Sequence, residues 1–148
     1  MNEKLMKQYM TIKKNYNKCR EDIFDIKDDL QKLDECDIKS TSFSEITTKI
    51  IRQSDKNLNK TILRDKLEKK LNYNYALKKS YKYEMNILKE EIEEQIESTR
   101  GKDKTELQIF YYYHVTKHRT LEEISNLLSL SFSYIREVHS KILKNIQK

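Results

Sequence analysis

Polar and charged side chains near the end of the chain alternate with apolar ones at helical spacing. Ile135 and Val138 belong to an apolar stripe, and a second set lies off that stripe: Ser133, Tyr134, Arg136, Glu137, Ser140 and Lys141. The guanidinium of Arg136 could donate two hydrogen bonds to guanine O6 and N7. These residue types on one helix face predict a surface that reads base edges, with Arg136 as its main contact.

Basic residues around this face are suited to the phosphate backbone. Those expected to hold phosphates are Lys117, Arg119, Lys141 and Lys144. Glu137 could accept a hydrogen bond from cytosine N4, or hold Arg136 or Lys141 in place. From Arg100 onward there are nine Lys or Arg and five Asp or Glu, so most of the net charge of +6 lies in the last third. Such a segment can replace phosphate counterions, although a solvated basic face is an equally simple explanation.

Local signals predict the two helices that would present this face. Thr120 and Glu123 have the spacing of a capping box, and Leu121, Ile124 and Leu128 follow it on one helix face. A turn is then expected at 129–131. The preceding helix is expected from about Lys104 to Thr116, with Leu107, Phe110, Tyr111 and His114 or Val115 on its apolar face.

The second helix of the pair has its own start signal. Ser131 can cap it, and Leu130 and Ile135 occupy the two staple positions around that cap. Ser125 is small where two crossing helices must approach each other. Together these features predict a helix-turn-helix, whose second helix enters the major groove.

The segment from Thr120 to Ile146 resembles region 4 of bacterial sigma factors. It is similar to the module of small phage regulators of the ArpU, RinA and Xpf type. The matching positions are Leu121, Glu122, Glu123, Ile124, Ser125, Leu128, Leu130, Ser131, Ile135, Arg136, Val138 and Leu143. The resemblance implies that residues 132, 133, 134, 136 and 137 face DNA, which adds Phe132 to the candidate contacts. It also implies a phage or prophage transcription activator that works with the host RNA polymerase. Ser129 stands where the family usually has a turn glycine.

The first hundred residues predict long helices. In the first of them, expected at about 3–34, apolar residues recur at alternating steps of four and three: Leu5, Tyr9, Ile12, Tyr16, Cys19, Ile23, Ile26, Leu30 and Leu33. A second helix is expected at about 61–98, with a weaker stripe that Asn74 and Lys78 interrupt. Residues 34–60 between them predict a loop that can include a short helix at 44–52.

The predicted architecture is all-α. Residues 1–99 are expected to form a helical hairpin or coiled coil, and residues 104–148 a small helix-turn-helix domain, with Gly101 at the boundary. Hairpin pairing within one chain and pairing between subunits both fit the heptads, and a homo-oligomer, with a dimer favoured, is expected.

Composition bounds the function. Proline is absent and Gly101 is the only glycine, so phosphate-cradling loops are not expected. We find no nucleophile with a base and no metal-spaced cluster, so we expect no enzyme activity, no cofactor and no metal. The sequence contains no stretch typical of a membrane span, and a cytoplasmic location is expected.

The sequence therefore predicts a sequence-specific transcriptional regulator that binds double-stranded DNA. Two alternatives stay open: a DNA-packaging protein similar to a small terminase subunit, and a coiled-coil module that binds another protein.

Overall fold

A computed structural model describes residues 2–38, 53–116 and 119–147. In order, its helices are α1 (Asn2–Ile38), α2 (Gln53–Ser98), α3 (Lys102–Phe110), α4 (Leu121–Leu128) and α5 (Phe132–Gln147). A π-helical segment, Tyr111–Val115, directly continues α3. The described residues are all helix and connecting turns, so the predicted all-α fold is confirmed. No helix in the described ranges has the length and apolarity needed to cross a membrane.

The chain divides into two compact units. The hairpin unit comprises Asn15–Tyr81, and the terminal unit comprises Met1–Lys14 with Lys82–Lys148. The start of α1 and the end of α2, which the sequence assigns to the N-terminal hairpin, therefore belong to the same unit as the three short C-terminal helices.

In the hairpin unit, α1 and α2 run antiparallel. Residues late in α1 meet residues early in α2: Asp34 forms an ion pair with Arg64, and the Lys27 ammonium lies 5.4 Å from the centre of the Tyr75 ring. The predicted heptad residues Cys19, Ile23 and Ile26 are buried here. Heptad stripes on both helices thus bury their apolar sides against each other, as helices with narrow stripes need.

The two interruptions in the α2 stripe have local explanations. The Lys78 ammonium lies over the Tyr16 ring of α1, 6.0 Å from its centre, where the ring face attracts the positive charge. The amide of Asn74 donates to the Lys70 carbonyl at 2.9 Å, one turn back on the same helix. Both polar residues therefore tolerate their half-buried positions.

The terminal unit contains a core to which every helix contributes. Its fully buried side chains are Met6 from α1, Ile92 from α2, Leu107, Ile109 and Phe110 from α3, Ile124 from α4 and Ile135 from α5. The rings of Tyr9 and Phe110 pack edge to face, with centroids 6.0 Å apart. Helices α3, α4 and α5 therefore pack against the start of α1 and the end of α2.

Two helix ends differ from the sequence prediction. The first helix continues to Ile38, beyond the predicted end near 34, and the second begins at Gln53 and not near 61. These additions carry no apolar stripe, so periodicity does not reveal them, whereas local bonds such as that from Gln31 to Glu35 (3.3 Å) support helix in the last turns of α1. The short helix predicted at 44–52 lies outside the described residues.

Candidate nucleic-acid interface

The first helix of the predicted pair, α4, begins as its capping signal indicates. The Thr120 hydroxyl accepts a hydrogen bond from the Glu123 amide at 3.2 Å, and the Thr120 carbonyl accepts from the Ile124 amide at 3.0 Å. Two acidic residues lie in the first turn, where they complement the helix dipole. Ile124 is fully buried in the core of the terminal unit. One cap and one apolar stripe thus set both the start and the orientation of α4.

The turn after α4 is closed by a Schellman motif. The amide of Leu130 donates to the Ser125 carbonyl at 3.1 Å, and the amide of Ser129 donates to the Asn126 carbonyl at 3.4 Å. Ser129 has φ 55° and ψ 40°, the left-handed conformation that favours glycine. The Ser125 hydroxyl also donates to the Leu130 carbonyl at 2.5 Å. Ser125 is therefore more than a small residue at a helix crossing, because it ties both sides of the turn.

The second helix, α5, starts at a serine cap as predicted. The Ser131 hydroxyl accepts from the Tyr134 amide at 3.3 Å, and the Ser131 carbonyl accepts from the Ile135 amide at 3.1 Å. On the inner side of α5, Ile135, His139 and Ile142 are buried. Helix α5 packs against both α3 and α4. Its inner side is therefore anchored, and its rotation about its own axis is set by that burial.

The opposite side of α5 is open to solvent. The predicted contact residues on it are all exposed: Phe132, Ser133, Tyr134, Arg136, Glu137, Ser140, Lys141 and Lys144. Phe132 and Tyr134 expose 42% and 36% of their surface, respectively, so both aromatic rings are accessible at the start of this face. The structure thus brings the predicted side chains together on one continuous face.

One predicted phosphate contact, Arg119, lies beside this face. The guanidinium of Arg119 is 5.5 Å from the centre of the Tyr112 ring. Arg119 and Phe132 line one surface hollow, together with Tyr113, Thr120, Leu121 and Glu122. Another predicted phosphate contact, Lys117, lies outside the described residues, as does His118.

A π-helical segment before α4 is a feature that sequence reasoning missed. At Tyr111–Val115 the backbone widens, and the Thr116 amide donates to the Tyr111 carbonyl at 2.9 Å, five residues back. The Lys13 ammonium of α1 donates to the His114 carbonyl at 2.8 Å. A carbonyl at a helix end has no partner within the helix, so this lysine satisfies it and joins α1 to the segment that leads into α4.

Two histidines pair inside the terminal unit. Nε2 of His114 and Nε2 of His139 are 3.3 Å apart, their rings stack at a centroid distance of 5.4 Å, and both residues are buried. A hydrogen bond between two such nitrogens needs one of them to be unprotonated. His139 stands four residues after Ile135 and three before Ile142, which is the sequence signal for its inward position. No comparable signal marks His114 as its partner.

The surroundings of this pair disfavour positive charge. Burial, with smaller contributions from His139 and Lys13, lowers the pKa of His114 to about 4. Burial also lowers the pKa of His139. The ring of Tyr113 lies 4.2 Å from that of His139 and 4.7 Å from that of His114. The pair is therefore a neutral, aromatic-lined part of the core, which fixes the inner side of α5 against the π-helical segment.

The three consecutive tyrosines 111–113 pack at the edge of the same core. The Tyr111 hydroxyl donates to Oε1 of Glu93 in α2 at 2.7 Å, and burial followed by this hydrogen bond raises the pKa of Tyr111 to about 12. Side chains of all three tyrosines are half-buried and pack against the core cluster. The run is therefore part of the core and of its edge.

Within the described ranges, no group of three or more His, Cys, Asp or Glu side chains is arranged to hold a metal ion. Comparison of the chain with protein-family models, with curated proteins and with solved structures gave no match.

Proposed function

We propose that the chain is a sequence-specific DNA-binding transcriptional regulator that places α5 in the major groove of double-stranded DNA. The observation that carries the proposal is the two-sided character of α5. Its inner side is buried through Ile135, His139 and Ile142, while its outer side is a continuous exposed set of polar, aromatic and basic residues. A helix held in this way by a capped neighbour and a tight turn is the arrangement that helix-turn-helix proteins use.

The dimensions of α5 suit this role. Its 16 residues extend about 24 Å at 1.5 Å per residue, and the major groove, about 12 Å wide, admits one helix. Ser133, Arg136 and Glu137 lie on the first two turns, the part of a recognition helix that meets base edges. Lys141 and Lys144 follow on the last turns, where we expect them to bind phosphates.

The family resemblance extends the proposal. It supports a phage or prophage activator that works with the host RNA polymerase. We include a homo-oligomer, with a dimer favoured, because the heptads suit helix pairing and a helix-turn-helix dimer can bind two half-sites.

The test begins with selection of bound sequences from a random duplex pool by the full chain. We expect enrichment of one sequence class at low salt, and transcription from a promoter that contains it should rise when RNA polymerase and the chain are both present. Arg136→Ala should then lose roughly 1–3 kcal/mol of discrimination at one base pair. Arg100→Ala is the matched control, because Arg100 is an exposed arginine outside α5.

Substitution of the phosphate-binding lysines should have a different effect. Lys141→Ala and Lys144→Ala should weaken binding of all sequences alike and reduce the slope of log affinity against log salt by about 0.9 for each phosphate that is no longer neutralised. Absence of duplex binding in dilute buffer would refute the proposal. Enrichment at a packaging site by a ring-shaped assembly would instead support a terminase-like role.

A further inference from the structure

Helix α2 has a second heptad row on its exposed surface. At one position this row borders α1, because Ile87 lines a groove with Gln8 and Ile12. The row toward α1 is buried or half-buried and includes Leu71, Tyr81, Met85 and Ile92. The outer row has the same alternating steps of four and three, and every member is exposed: Ile62, Lys66, Lys69, Tyr73, Ala76, Ser80, Tyr83, Ile87, Glu90 and Glu94. We call this row the outer seam. All of it belongs to one continuous helix, so its register follows from helical periodicity alone.

The middle of the outer seam is apolar or small. Tyr73 and Tyr83 expose 65% and 68% of their surface, and Ile87 exposes 39%. Ala76 and Ser80 lie between the two tyrosines and would allow a second helix to approach closely. Exposed aromatic residues at heptad spacing on a charged helix are a pattern typical of a surface that pairs with another helix.

Charge along α2 is strongly asymmetric. Between residues 60 and 82 there are eight Lys or Arg and two acidic residues, whereas between 84 and 97 there are six Glu and one Lys. The outer seam follows this division, with Lys66 and Lys69 before its apolar middle and Glu90 and Glu94 after it. A helix with this distribution is complementary to a reversed copy of itself.

We propose that α2 pairs antiparallel with α2 of a second copy of the chain through the outer seam. With the two-fold axis at the level of Lys78, Ala76 faces Ser80 of the partner subunit. On either side, Tyr73 faces Tyr83 of the partner subunit. Further out, Lys69 faces Ile87 of the partner subunit, Lys66 faces Glu90 of the partner subunit and Ile62 faces Glu94 of the partner subunit, and symmetry repeats each contact.

The charges select this orientation. A parallel pair in register would place Lys66 against Lys66 of the partner subunit and Glu90 against Glu90 of the partner subunit, which is repulsive at both ends. The antiparallel pair replaces both repulsions with attractions. The antiparallel pair rests on the proposed function in one respect, since it assigns a surface to the dimer included there. Its test uses no DNA, so the two proposals can fail separately.

The test is a charge exchange in the full chain, measured by sedimentation equilibrium over a range of micromolar concentrations at low salt. Wild type should dimerise. Lys66→Glu alone and Glu90→Lys alone should each raise the dimer Kd roughly tenfold, because each creates two repulsive contacts per dimer. The double variant should return the Kd to near the wild-type value, and added salt should reduce all of these differences.

Two further variants complete the test. Tyr83→Glu places a charge in the apolar middle and should leave the chain monomeric with unchanged helicity, because Tyr83 has little contact within the monomer. Lys82→Glu is the control, since it is an exposed charge reversal off the outer seam, and it should dimerise like wild type. A monomeric wild type, single exchanges without effect, or a double exchange that fails to restore the dimer would each overturn the proposal.

Discussion

Acidification should destabilise the terminal unit through the pair of His114 and His139. In the folded protein the pKa of His114 is about 4, below the value near 6.5 of an unfolded histidine. Because the folded-state pKa is the lower one, the unfolded chain binds more protons in this range. Stability is therefore present above the unfolded pKa and is lost as the pH falls from about 6.5 toward 4.

The magnitude follows from the same two values. At pH 5 an unfolded histidine is almost fully protonated, whereas His114 in the folded protein is mostly neutral, and the linkage amounts to about 2 kcal/mol relative to pH 7. Both rings keep a small solvent-exposed fraction, and screening by that solvent reduces this figure, so we expect a loss of about 1–2 kcal/mol. The lowered pKa of His139 acts in the same direction, but the Nε2 atoms of the two rings lie 3.3 Å apart, so the two effects should not be added as if they were independent.

The assay is urea unfolding of the full chain at pH 7, 6 and 5, followed by far-UV circular dichroism, with the imidazole titrations followed by NMR. A variant with both His114→Gln and His139→Gln is the control, because two amides can keep a hydrogen bond without titrating. It should lose most of the pH dependence. A wild-type unfolding free energy that stays constant between pH 7 and pH 5, or an equal slope in the control, would refute this reasoning.

Three further predictions concern the helix-turn-helix. Ser129→Gly should stabilise the fold by about 0.5–1 kcal/mol, because glycine adopts the left-handed backbone at φ 55° without strain. Ser129→Ala should give no such gain, so equal midpoints of thermal unfolding for the glycine and alanine variants would contradict this. Thr120→Ala should lower the free energy of unfolding by about 1 kcal/mol, because the Glu123 amide loses its cap. Hydrogen-exchange protection in α4 should fall accordingly, and unchanged protection would exclude the cap as a stabilising element. Ile135→Ala should cost about 2–5 kcal/mol in urea unfolding because the side chain is fully buried; a loss below about 1 kcal/mol would mean that α5 is not anchored there.

Features that depend on residues close together in the chain were predictable. The caps at Thr120 and Ser131 and the turn between α4 and α5 arise from hydrogen bonds spanning five residues or fewer. The inward stripe with Ile135 follows from helical periodicity. The same holds for the heptad of α1, since Cys19, Ile23 and Ile26 are buried as their spacing indicates. The exposed face of α5 follows because it is the complement of that stripe.

Features that join distant parts of the chain were decided by the tertiary structure. His114 meets His139 across 25 residues, and Lys13 reaches the His114 carbonyl across 101 residues. Helical periodicity identifies an inward face but not the neighbour that face will meet, so the packing of Met6, Tyr9 and Ile92 with the C-terminal helices could not be read from spacing. The π-helical segment belongs to the same class, because its widened backbone is held by Lys13 and by the ring stack around His114. The sequence by itself therefore determined which helices form, where they are capped and which sides are apolar, since these are local properties. Only the packing of the whole chain determined which apolar sides share a core, because that choice depends on contacts between residues far apart in sequence.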